Sequence, residues 1–190
     1  MTEEDIHDLI QRSAKGDRTA FRDLVEEFQQ YAFSLAFRLL CNKDNAEEAV
    51  QLSFVKTWEH IDSYDPGRKF STWFYAIVNN TCLDMLRARK RASTDVESID
   101  ESEESHEIPD APHFEDLLDI SELATIIEQL TGRLPMKQRS VFTLRDLQGL
   151  SIAEVVETLG MSEASVKTNL VFARRHVREM LDRLYHVKGM

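Results

Sequence analysis

Two stretches of the chain gather side-chain types that suit nucleic acid. Phe70-Ser71-Thr72-Trp73-Phe74-Tyr75-Ala76-Ile77-Val78-Asn79-Asn80 sets four aromatics beside two amides, ahead of a basic run from Arg87 to Arg91. Aromatic faces beside a positive groove can stack unpaired bases, at roughly 1–3 kcal/mol per base. At least one of Trp73 and Phe74 is expected in the core, whereas Tyr75 and Asn80 are expected at the surface. The second stretch runs from Leu150 to Leu184. Ser151 with Glu154 predicts a capping box, and Gly160 predicts a left-handed helix stop. Ile152, Val155, Val156 and Leu159 face inward between them. Ser162 then caps a helix whose inward residues are Val166, Leu170, Ala173, Val177, Leu181 and Leu184. A short helix, a glycine turn and a second amphipathic helix describe a helix-turn-helix.

The outward face of that second helix holds Ala164, Thr168, Val171, Phe172 and Arg175, flanked by Ser165, Lys167 and Arg174. In this motif the N-terminal end of the second helix enters the major groove. Thr168 and Ser165 are then placed to reach base edges, and Ala164 or Phe172 to touch thymine methyls. Lys167, Arg174 and Arg175 suit phosphates. A plain helix pair with a solvated basic face would look similar over this segment alone. The outward Phe172 and the concentration of base on one helix favour DNA.

Other chemistries lack their parts. The six histidines show no spacing with carboxylates that would ligate a metal on one helix face. There is no glycine-rich phosphate loop and no nucleophile motif. Cys41 and Cys82 are far apart and fall in helical apolar patterns, so they are expected as small buried hydrophobes. No catalytic residue, cofactor or metal is expected.

The elements that position these residues are helical. Phe21, Leu24, Val25, Phe28, Ala32, Leu35, Ala36 and Leu39 recur at three- and four-residue steps, giving one apolar face. Asp44, with Glu47 three positions on, predicts the start of another helix with inner residues Ala46, Val50, Phe54, Trp58 and Ile61. Pro66 and Gly67 mark a turn, after which Ser71 is expected to cap the aromatic helix. From Ser93 to Asp119 there are eleven acids and no Lys or Arg, which reads as a flexible linker. Beyond it Leu123, Ile126, Ile127 and Leu130 form a stripe, and Pro135 suits the first turn of a helix stopping near Gly149. The expectation is an all-α fold: domain 1–92, acidic linker 93–119, and domain 120–190 with the helix-turn-helix.

The net charge of −11 belongs to the linker, since the remaining 23 acids match the 23 bases of the whole chain. Local patches, not the total, decide where phosphates bind. No apolar run approaches the ~20 residues that span a bilayer, and the acidic Met1–Asp5 stretch is unlike a signal peptide. A cytoplasmic protein without membrane insertion is expected.

Three blocks in order carry a family resemblance: Asn45 to Phe54, Phe70 to Arg91, and Leu134-Pro135 to Leu181. They resemble bacterial RNA polymerase sigma factors of the extracytoplasmic-function group. The resemblance implies two helical DNA-binding domains, the first opening the downstream promoter element and the second reading the upstream element. It implies docking of the helix from Asp44 to Ile61 on the clamp coiled coil of the polymerase largest subunit, through Glu47, Glu48, Gln51 and Leu52. Leu52 stands where the family commonly has an acid. It implies that the loop from His60 to Lys69, with Tyr64, Arg68 and Lys69, pockets a flipped base. Trp73, Tyr75, Asn79, Asn80 and Arg87 would line the strand-opening face. Core polymerase and promoter DNA are the implied partners, an anti-sigma protein is a further candidate, and the acidic linker would thread the polymerase active-site cleft as a nucleic-acid mimic. Asn169 and Phe172 stand where the recognition helix often carries basic or histidine side chains. The alternatives are a helix-turn-helix regulator acting without polymerase and, in another class, a helical enzyme.

Overall fold

In a computed structural model the described residues are 1–94 and 130–187, with side chains through 91 and 183. Ser93 and Thr94, expected to open the linker, belong to the helix Phe70–Thr94, and the rest of the expected linker and the stripe Leu123, Ile126 and Ile127 lie outside the described residues. Among the described residues there is no strand. They form two compact units, one holding the helices up to Thr94 and the other chiefly those from Met136 onward.

The first unit begins with a helix that periodicity alone did not single out. Thr2 accepts from the Asp5 amide at 3.2 Å while Asp5 Oδ2 accepts from the Thr2 amide at 2.9 Å. This reciprocal capping box starts α1 (Glu3–Ala14). Asp17 then accepts from the Thr19 and Ala20 amides and starts α2 (Arg18–Leu40). Arg12 donates to the same Asp17 carboxylate at 2.7 Å, locking the α1–α2 turn, and its charge helps hold that carboxyl below the ordinary range. Helix α2 ends at Cys41, which is left-handed (φ 50°) and only part-buried, contrary to the expectation of a buried helical position. Its reversal puts Asn42 in extended geometry, where its side chain caps the Asn45 amide at 2.9 Å. Helix α3 (Lys43–His60) therefore starts before Asp44, and Glu47 is exposed instead of capping.

Helix α4 (Phe70–Thr94) starts one residue before the expected cap. The Lys69 carbonyl accepts from the Thr72 and Trp73 amides. Phe70 is drawn into the core, and this places Ser71 inside the first turn. There Phe28, Phe54, Phe70 and Phe74 meet ring to ring, with centroids 4.9 to 5.9 Å apart. Edge-to-face and offset-stacked pairs of this kind add about 0.5–1.5 kcal/mol each beyond burial. Buried Ser13, Ser53 and Thr57 return their hydroxyls to carbonyls one turn back, so none costs an unmade bond.

In the second unit Pro135 precedes α5 (Met136–Phe142), and Thr143–Leu147 continues it as a single π turn. This replaces the unbroken α-helix expected up to Gly149, whose φ of 78° closes the segment. Arg139, buried and not singled out from sequence, donates to the Gly132 and Leu134 carbonyls and ties the entry turn to α5. Helix α6 (Ile152–Leu159) follows the expected capping box, with Ser151 and Glu154 bonded reciprocally at 2.8 and 3.2 Å. Gly160 has φ 62°, and Ser162 Oγ accepts from the Ser165 amide at 3.2 Å to start α7 (Glu163–Val187). Leu134, Val141, Leu144, Val155, Val166, Leu170, Ala173 and Val177 are all buried.

Candidate nucleic-acid interface

In the first unit the segment between α3 and α4 is a braced turn. Asp65 Oδ1 accepts from the Gly67 amide at 2.9 Å, and the Arg68 amide donates to the Asp65 carbonyl at 3.0 Å. The Tyr64 hydroxyl donates to the Arg68 carbonyl, closing the loop across its neck. Its ring stands 5.6 Å from Phe70 and 5.5 Å from Trp73. Partial burial raises the Tyr64 pKa, so the phenol stays a donor. Together with α1 and α2 the loop borders an open cleft of about 450 Å³, lined in part by Tyr31, Tyr64, Phe70 and Tyr75, by Arg68 and Lys69 on the loop side and by Glu3 and Glu27 on the helix side. Aromatic walls with a basic lip suit a flat, weakly polar group attached to an anion.

The expected strand face divides. Asn80, Arg68, Lys69 and Arg87 are exposed, and Tyr64 and Trp73 are part-exposed. Trp73, Asn80, Asp84 and Arg87 follow helical spacing and share one stripe of α4, where Arg87 lies 3.3 Å from Asp84. Phe74 is fully buried, as expected of one of the two central aromatics. Two residues are not where a surface role would put them. Tyr75 is only 7% exposed, with its pKa pushed to about 12 by burial, and Asn79 is 2% exposed. Both lie on the inward side of α4, nearly opposite Asn80 in phase or one step from it.

On α3 the expected docking residues Glu47, Glu48, Gln51 and Leu52 are all exposed. Val55, 54% exposed, extends the stripe Glu48–Leu52–Val55 at i, i+4 and i+7. Sequence reading passed over Val55. Its signal was an apolar residue out of phase with the inner face of α3.

In the second unit every residue expected on the outward face of α7 is turned outward: Ala164, Thr168, Val171, Phe172 and Arg175 are exposed, as are the flanking Lys167 and Arg174. Ser165 is part-buried. Arg174 is not a loose cation. Its Nε and Nη2 donate to the two Asp146 oxygens at 2.8 and 2.7 Å, and this bond raises its pKa. Asp146 is presented by the π turn, a local widening that often accompanies function. The Arg175 guanidinium lies over the Phe172 ring at 5.0 Å.

Comparison with known proteins gives the same two parts in the same order. Residues 24–92 match the family Sigma-70 region 2, and residues 124–177 match Sigma-70, region 4. The chain is 33% identical over 176 residues to the ECF RNA polymerase sigma factor SigW of Bacillus subtilis, covering 90% of this chain and 94% of that protein. It is 31% identical over 173 residues to the ECF RNA polymerase sigma-E factor of Escherichia coli K12, covering 89% and 90%. Two solved structures share the fold. One is CnrH in complex with the cytosolic domain of CnrY (TM-score 0.65, 24% identity, 92% of this chain and 96% of that one). The other is the sigma factor RpoE in complex with the anti-sigma factor NepR from Bartonella quintana (TM-score 0.67, 22% identity, 85% and 96%). Region 2 and region 4 matches, with a relative one-third identical along nearly the whole length, leave one assignment: this chain belongs to the extracytoplasmic-function family of RNA polymerase sigma factors.

Proposed function

We propose that this sigma factor, which binds core RNA polymerase and directs promoter-specific initiation, divides promoter recognition between its two units. The first, assigned to residues 1–92, docks on the clamp coiled coil through α3 and holds the separated downstream strand on the Tyr64 loop and the Trp73–Asn80–Arg87 stripe. The second, assigned to residues 120–190, reads the upstream duplex with α7. The single observation that carries this division is the contrast in chemistry between an aromatic cleft with a basic lip and a convex helix face rimmed by charge.

The docking reading rests on Glu47, Glu48 and Gln51, whose charge and amides suit a basic partner helix. Leu52 and Val55 add an apolar strip to it. Strand opening draws on binding alone: unstacking a base costs a few kcal/mol, offset by the pocket and by backbone contacts. The chain acts by binding and not by catalysis, and in the cytoplasm, where its polymerase is. The acidic segment 93–119 is a mimic of nucleic acid in the polymerase cleft. Replacing five of its acids by Gln alters the lengths of abortive transcripts, and unchanged lengths would remove that role. A regulator acting apart from polymerase leaves the region 2 match without a purpose. The structural relatives solved with CnrY and NepR make an anti-sigma partner a candidate here also.

The test is transcription by the chain with core polymerase on promoter libraries, with permanganate probing of opening. Thr168→Ala shifts upstream preference, whereas Asn80→Ala reduces opening and leaves polymerase binding intact. Failure to associate with core polymerase would overturn the whole reading.

A further inference from the structure

The groove-entering face of α7 has an inverted polarity. Its charged side chains Lys167, Arg174 and Arg175 are exposed yet each is paired within the protein, and the centre of the face is largely apolar. Lys167 Nζ lies 2.5 Å from Glu163. Asn169 Nδ2 donates to the Ser165 carbonyl at 2.9 Å. Arg174 is held in a two-bond fork by Asp146. Arg175 covers the Phe172 ring and stands 3.8 Å from Glu179. At i, i+4, i+7 and i+8 the surface is Ala164, Thr168, Val171 and Phe172, with Val171 65% and Phe172 38% exposed. Single exposed apolar residues mean little, but these two are adjacent, rimmed by charge and near the end of the helix that meets a groove.

The four base pairs differ in the major groove, and only thymine shows a methyl group there. We infer that this sigma factor reads its upstream element chiefly through thymine C5-methyl groups packed against Ala164, Val171 and Phe172, and not through hydrogen bonds from its basic side chains to base edges. The inference rests on the assignment of α7 to the upstream duplex. A rise of about 1.5 Å per residue spreads positions 164 to 172 over about 12 Å, or roughly three to four base-pair steps. The element therefore carries its methyls within that span, on either strand. Lys167 and Arg174, exposed on the flanks, exchange Glu163 and Asp146 for phosphates and fix register without reading sequence. Arg175, stacked on Phe172, holds the ring upright for the groove.

The experiment first selects the upstream element from randomised duplexes, using the full chain with core polymerase. Each thymine of the selected element is then replaced by deoxyuridine, which removes the methyl and keeps every hydrogen-bonding group. Affinity should fall about four-fold at each contacted methyl. Replacing purines by their 7-deaza analogues, which removes a groove acceptor, should cost less. Phe172→Ala and Val171→Ala, at exposed positions outside the core, should bind thymine and uracil forms alike while keeping polymerase binding and helical content. Equal affinity of the wild-type protein for thymine and uracil forms, or a larger loss with 7-deazapurines, would overturn the inference and leave the duplex-reading assignment standing. Selection of no upstream element would overturn both.

Discussion

Tyr64, Phe70 and Trp73 in the first unit are packed ring against ring, and a hydroxyl bond closes the loop that carries them. Val171 and Phe172 in the second unit lie on the outer face of a single helix, Val171 65% and Phe172 38% exposed, with the Arg175 guanidinium over the Phe172 ring. The difference follows from what each must hold. A separated strand has many conformations, so the protein supplies the order, and a braced concave site reduces the entropy that binding would otherwise cost. A duplex brings its own rigid groove, and a helix face with fixed side-chain spacing is enough to match it. The same aromatic chemistry is therefore built into a core in one unit and left at the surface in the other.

Paired substitutions test that contrast, and the largest effect is expected from the two phenylalanines. Phe74 is fully buried against four other rings, so Phe74→Ala should cost about 3–5 kcal/mol of stability in urea unfolding. Phe172→Ala should stay within about 1 kcal/mol of wild type and change only upstream binding. Equal losses of stability would break the comparison. Next come the neighbouring amides. Asn79→Ala removes a buried polar group and should cost about 1–3 kcal/mol, whereas Asn80→Ala should change stability by about 0.5 kcal/mol at most. Permanganate probing should show impaired opening for Asn80→Ala with folding intact. If that variant instead unfolds, the place of Asn80 on the strand face is wrong.

A smaller change sharpens the picture of the braced loop. Tyr64→Phe keeps the ring and deletes the donor to the Arg68 carbonyl, weakening single-strand affinity by about 0.5–1.5 kcal/mol. Global unfolding should barely move. The smallest effect concerns pH. The Asp17 carboxyl is held low by Arg12 and by the first amides of α2. Its contribution is present above the ordinary carboxylate range and is lost as pH falls through the lowered value. Urea midpoints taken from neutral to about pH 3 should decline less steeply in Asp17→Asn than in wild type. Identical slopes would remove Asp17 as a source of acid sensitivity.

Much of the scaffold was legible because helices write a local code. The inward phases of α2 and α7, the Ser151–Glu154 box, the Gly160 stop and the Ser162 cap each depend on residues within a few positions of one another. Helix α1 was missed although its box, Thr2 with Asp5, was written in the same code. Asn42, not Asp44, caps α3, since the left-handed turn at Cys41 aims the side chain of the residue that follows it.

Sequence alone determined the all-helical class, the order of the two parts, and which face of the second helix of the helix-turn-helix points away from its core. All three follow from spacing along the chain, and spacing is preserved whatever the chain packs against. Only the tertiary structure decided that Tyr75 and Asn79 turn inward while Asn80 does not. It alone decided that a π turn brings Asp146 onto Arg174 across 28 positions, so that a cation expected to meet phosphate already has a carboxylate partner. Those outcomes depend on which surface arrives opposite each side chain, and that is set by contacts between segments far apart in sequence.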